Sequence, residues 1–105
     1  MAPDPGPDLL TLLHELAHAM RTRFDQRARQ HGMTRAQWVI LYKLRRQAGL
    51  TQKELAQLVE VEPMTVARLV DRLESAGYVE RRADPGDRRV WRLHLLPSAA
   101  ALMTE

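Results

Sequence analysis

Residues 51–95 read TQKELAQLVEVEPMTVARLVDRLESAGYVERRADPGDRRVWRLHL, a succession of helix, turn and strand signals that sets the architecture of the chain. Thr51-Gln52-Lys53-Glu54 opens it with the S/T-x-x-E form, in which a hydroxyl and a carboxylate three residues on satisfy backbone donors left open by the first turn of a helix. A helix is expected from Gln52, with Leu55, Leu58 and Val59 as its apolar stripe over roughly two turns. Glu60, Val61 and Glu62 break the stripe, and Pro63, with no N–H to lose at a first helical position, starts a second helix. Steps of about 100° per residue put Val66, Leu69, Val70 and Leu73 on one side of it, and Met64, Thr65, Ala67, Arg68, Asp71, Arg72 and Ser75 on the other. One side packs and the other is free to meet a partner. Gly77 stands just past the last apolar position, where a left-handed cap suits glycine, so the helix is expected to end at about Ala76.

Beyond that glycine the periodicity changes. Residues 78–82 (YVERR) are strand-like, residues 83–87 (ADPGD) are rich in turn formers, and residues 90–95 (VWRLHL) alternate, which predicts a β-hairpin with Arg88 and Arg89 near its tip. In the second strand Trp91, Leu93 and Leu95 share one face, expected against the helices, while Val90, Arg92 and His94 share the other. Two helices on a short turn followed by a hairpin define a mainly α fold with a small β-wing (α+β), a winged helix-turn-helix. Seven arginines and no lysine lie from Arg68 to Arg92: Arg68, Arg72, Arg81, Arg82, Arg88, Arg89 and Arg92. A solvated charged face would explain them. So would a DNA surface, because the planar guanidinium suits bidentate contacts to guanine and phosphate.

The quoted stretch, and more loosely HGMTRAQWVILYKL before it, resembles the multiple-antibiotic-resistance-type (MarR) transcriptional regulators, and within them the SlyA-like branch. The helix, the glycine and the Asp87-Arg88-Arg89 tip occur in order at family spacing. This resemblance implies sequence-specific binding to a double-stranded, palindromic operator by a homodimer, with transcriptional repression as the outcome and a small-molecule effector as a further partner. The second helix then enters the major groove, where Met64, Thr65, Arg68 and Arg72 meet base edges or phosphates, Arg68 being the foremost base contact. The helix start near Gln52 offers backbone amides to a phosphate. Arg89 is implied in the minor groove, braced by Asp87, with Arg88 on the backbone. Asp71 would be repelled by phosphate and is expected to orient Arg68 or Arg72, or to pair with another arginine.

The rest of the chain bounds these expectations. Its 105 residues allow one domain with a small core, 45% hydrophobic residues are ordinary for a globular chain, and a formal charge of +3 with a pI near 9.9 fits a nucleic-acid partner without requiring one. With no cysteine, disulfides, thiolate zinc sites and thiol redox sensing are excluded. No apolar run reaches membrane-spanning length and no signal-peptide pattern appears, so a cytoplasmic protein without a cofactor is expected. Residues 1–7 (MAPDPGP) are too proline-rich for a helix and read as a loose arm. From an Asp8 cap a helix is expected to about Gln30, with Leu9, Leu13, Leu16, Ala17, Met20 and Phe24 in one stripe that wants a partner; in the resembled family this helix helps form the dimer.

Inside that helix, His14-Glu15-Leu16-Ala17-His18 fits the H-E-x-x-H form of zinc proteases, with both imidazoles on one face and a carboxylate beside them. No third ligand follows at the usual spacing and both histidines fall on the polar side, so a solvated face is expected and not an enzyme. Thr34-Arg35-Ala36-Gln37 repeats the capping form and starts a helix to about Gln47, on which Trp38 and Tyr42 share a face. They either pack beneath the helix-turn-helix or line an effector pocket. A short strand at Leu50 and Thr51 could complete the wing sheet. Past Leu95, where the resembled family carries Leu-Thr, this chain has Leu96-Pro97-Ser98, so Pro97 alone marks the next helix over residues 97–105. The resembled proteins continue with helices that supply most of the dimer interface. This leaves two expectations open: a shortened chain, or a short protein that uses its first helix or a partner instead. Two alternatives remain: a winged helix serving only as a protein-interaction module, and a zinc metalloprotease built on His14 and His18.

Overall fold

The structure is a computed structural model that describes Gly6 and residues 8–104; apart from Gly6, the expected arm lies outside the described residues. Among the described residues five helices and one hairpin follow in the order α1 (Leu9–Gln30), α2 (Arg35–Arg46), α3 (Gln52–Val59), α4 (Pro63–Ser75), β1 (Val79–Ala83), β2 (Trp91–Leu95) and α5 (Pro97–Leu102). They fall into two compact units, residues 1–35 and 36–105.

The first unit is essentially α1. The Asp8 carboxylate accepts the Thr11 N–H at 2.8 Å, which caps the helix and holds the Asp8 carboxyl below the usual aspartate range. At the other end Gly32 takes φ 68°, and the N–H of Met33 returns to the Ala28 carbonyl at 2.8 Å. Leu9, Leu13, Leu16 and Met20 of the apolar stripe stay 70%, 52%, 58% and 46% exposed.

In the second unit Ile40, Leu41, Leu44, Leu55, Val66, Val70, Leu73, Val79 and Leu93 are the largest fully buried side chains. Each contributes about 1.5–3 kcal/mol by leaving water, so together they fix how α2, α3, α4 and the hairpin base lie against one another. The Thr51–Glu54 capping box forms in both directions, at 3.1 and 3.0 Å. The stripe of α3 differs in one member: Leu55 and Ala56 are buried and Val59 half-buried, while Leu58 is 45% exposed. Burial centres on the arc shared by residues 55, 56 and 59, and Leu58 lies about 100° away from it.

A left-handed Glu60, at φ 54°, turns the chain from α3 into α4, which starts with Pro63 at its first positions and no side-chain cap. Val66, Val70 and Leu73 form its buried stripe. Gly77 at φ 82° ends it, with the Tyr78 N–H reaching back to the Leu73 carbonyl at 3.0 Å.

The hairpin pairs β1 and β2 antiparallel, from Val79 opposite Leu95 to Ala83 opposite Trp91. The expected short strand is a bridge between Leu50 and Leu93, with Gly49 N–H to Leu93 O and Leu93 N–H to Leu50 O both at 2.9 Å. Of the face expected against the helices, Leu93 is fully buried and Leu95 half-buried, but Trp91 is 53% exposed. Trp91 pairs with exposed Ala83 at the outer end of the ladder. Helix α5 starts at Pro97 without a side-chain cap, and Ser98 donates its hydroxyl to the Gly77 carbonyl instead.

Candidate nucleic-acid interface

Helix α4 presents Met64, Thr65, Arg68, Arg72 and Ser75 to solvent because Val66, Val70 and Leu73 take the opposite side into the core. Met64 is 71% exposed. Among the described residues no ion pair holds Arg68 or Arg72, so both guanidinium groups are available along one outward strip.

At the wing tip Arg88 is exposed and likewise free of an ion pair among the described residues. The Arg89 side chain is 91% exposed and still folded onto Asp87, with Nε to Oδ1 at 3.2 Å and Nη2 to Oδ2 at 3.3 Å. The Arg89 backbone N–H also donates to Asp87, at 3.0 Å. These bonds to the Arg89 side chain and amide hold the Asp87 carboxyl below the usual aspartate range.

The base of the wing is tied more firmly. Arg92 Nε meets Asp84 Oδ2 at 2.6 Å, its Nη1 donates to the Gly49 carbonyl at 2.9 Å, and Glu54 lies 3.9 Å away. Asp84 also accepts the Gly86 N–H at 2.7 Å, closing the turn of the tip. The Arg92 hydrogen bond lowers the Asp84 carboxyl and raises the Arg92 guanidinium in return. Arg82 pairs with Glu80.

Arg81, which the sequence showed only as one of seven arginines, has the most partners. Its guanidinium donates to Gln52 Oε1 at 2.9 and 2.7 Å, to Asp71 Oδ1 at 2.7 Å, to Glu74 Oε1 at 2.8 Å and to the Ala67 carbonyl at 3.5 Å. Of the alternatives open for Asp71, pairing with another arginine is the one found. The Gln52 side chain is consequently turned onto Arg81, and what the start of α3 offers outward is backbone and the exposed Lys53. A cleft of about 480 Å³ opens here, lined by Thr51, Gln52, Lys53, Arg81, Arg89, Val90 and Trp91.

Trp38 is buried at 5% exposure and Tyr42 half-buried; neither lines this cleft or a smaller one running from Lys53 to Pro63. His14 and His18 are both exposed on α1, and among the described residues no group of three or more His, Cys, Asp or Glu is placed to hold a metal. Nor is any described helix long and apolar enough to cross a membrane.

A helix-turn-helix with an outward arginine strip and an arginine-tipped hairpin defines the winged-helix class. The profile of the MarR family matches residues 33–91, and the chain belongs to that family of winged-helix transcriptional regulators. It is 32% identical over 98 residues to the HTH-type transcriptional regulator YsmB of Bacillus subtilis, covering 93% of this chain and 67% of that protein. Among solved structures, apo MarR from E. coli superposes with a TM-score of 0.77 at 28% identity, over 90% of this chain and 70% of that one. A MepR variant from S. aureus bound to an oligodeoxyribonucleotide gives 0.73 at 29%, again over 90% of this chain and 70% of its own. The chain spans between 51% and 67% of the length of four curated relatives it matches.

Proposed function

We propose that this chain binds double-stranded DNA sequence-specifically and regulates transcription as a repressor in the cytoplasm. The observation that carries this is the division among its arginines. Arg81, Arg82, Arg89 and Arg92 are held by acidic partners that set the shape of the wing, while Arg68, Arg72 and Arg88 point outward without an ion pair among the described residues. Helix α4 lies in the major groove, with Arg68 on base edges and Met64, Thr65 and Arg72 beside it. Arg89 enters the minor groove with Asp87 fixing its rotamer, Arg88 contacts a phosphate, and the amides at the start of α3 near Gln52 meet another. Two copies joined through the exposed stripe of α1 read a palindrome with half-sites about one helical turn apart. The burial of Trp38 supports its core role; an effector reaching Tyr42 would be a further layer of control.

Selection of bound duplexes from random-sequence DNA, followed by footprinting, tests this. Enrichment of a palindromic site whose affinity falls steeply with salt is expected. Absence of salt-dependent binding would turn the assignment toward a protein-interaction module, and a footprint over one half-site would make the bound species a monomer.

A further inference from the structure

Ala67, Asp71 and Glu74 recur at intervals of four and three, so they form one stripe along α4 between its buried face and its outward arginine strip. The Arg81 guanidinium, projecting from β1, touches all three and reaches Gln52 on α3 as well. The Arg81 backbone N–H adds a bond to the second Glu74 oxygen at 3.2 Å. Its side chain is 20% exposed, against 65% for Asp71 and 43% for Glu74.

We infer that Arg81 is a positioning residue for DNA recognition, locking the rotation of α4 to the wing so that major-groove and minor-groove contacts are made in a single register. This rests on the DNA-binding function proposed above. Two physical effects support it. A planar fork with several donors in fixed directions bonds α3, α4 and β1 at once, which a point charge on a flexible stem does not do. Asp71 and Glu74 flank the strip that carries Arg68 and Arg72, and without a cation between them they would face phosphate as like charges. Arg81 itself touches no DNA in this arrangement and acts through the helix it holds.

A double-mutant cycle on a duplex selected with the wild-type chain separates positioning from simple stability. Arg81→Lys keeps the charge and removes the fork; Arg89→Ala removes the wing contact. If Arg81 sets the register, Arg89→Ala weakens binding by about five-fold or more in the native background and by less than about two-fold beside Arg81→Lys, because the wing is no longer delivered together with α4. Glu74→Gln, which removes one ionic arm and leaves α3 alone, shows the same non-additivity to a smaller degree and serves where Arg81→Lys does not fold. Equal penalties for Arg89→Ala in all backgrounds would overturn the inference, even if every Arg81 variant bound less tightly. Lack of DNA binding by the wild-type chain would overturn the proposed function and the inference with it, whereas wild-type binding with additive effects removes the role of Arg81 alone.

Discussion

Arg68 leaves its guanidinium in solvent on the outward side of α4, whereas Arg92 is engaged by Asp84, Glu54 and the Gly49 carbonyl. Residue type and spacing could show where arginines are dense; which of them are free depends on partners tens of residues away. Gln52 and Arg81 are 29 positions apart, and no local pattern announces their bond. At the tip the pairing of Asp87 with Arg89, two positions apart, was implied by the family resemblance and not by local pattern. Replacing Arg68 by Ala is expected to cost about 1–3 kcal/mol of DNA binding and to relax preference at one base position, checked by titrating duplexes that differ there. A loss uniform over all sequences would make Arg68 a phosphate contact. Arg89→Ala is expected to reduce the slope of log affinity against log salt by about one, and an unchanged slope would remove Arg89 from the contacts. The paired carboxylates carry a pH dependence. Asp84, bonded to Arg92 and Gly86, titrates below the ordinary 3.8, so its contribution to stability is complete above that value and is lost as pH falls through the lowered one. Thermal unfolding from pH 5 downward should show wild type converging on Asp84→Asn in strongly acid solution; a constant gap would contradict the linkage.

Helices were legible because their ends are written locally. Thr51 and Glu54, Pro63, Gly77 and Asp8 each satisfy or spare backbone groups within a turn of themselves, and all stand where those signals put the boundaries. The faces of the elements were less legible. Leu58 and Trp91 were expected inward yet remain exposed: Leu58 lies off the arc on which burial of α3 centres, and Trp91 stands at the outer end of the ladder. Thr51→Ala removes one half of the capping box and should lower stability by about 1 kcal/mol, measured by urea unfolding, with the slope of the transition unchanged. Gly77→Ala places a side chain at φ 82° with open space around it, so strain alone acts and a loss of about 1–2 kcal/mol is expected. A neutral result at Gly77 would show that the end of α4 relaxes.

For the chain as a whole, the stripe of α1 keeps Leu9, Leu13 and Leu16 more than half exposed. Its amphipathic period was plain in the sequence, whereas its occupant depends on other copies or segments that no pattern within one chain encodes. If this stripe joins two copies, the pair Leu13→Glu and Leu16→Glu should halve the sedimenting mass and shorten the footprint to one half-site. Retention of the dimer in that variant would place the interface elsewhere. The bridge between Leu50 and Leu93 bears on how the wing comes into being. An isolated two-stranded hairpin is marginal in water, and this one closes against a segment 43 residues earlier through Arg92 and Gly49 as well as through Leu93. Wing and helices should therefore open together: in native-state hydrogen exchange the Leu93 amide should exchange only as slowly as global unfolding allows, while the amide of Arg88 exchanges at the rate of an open loop.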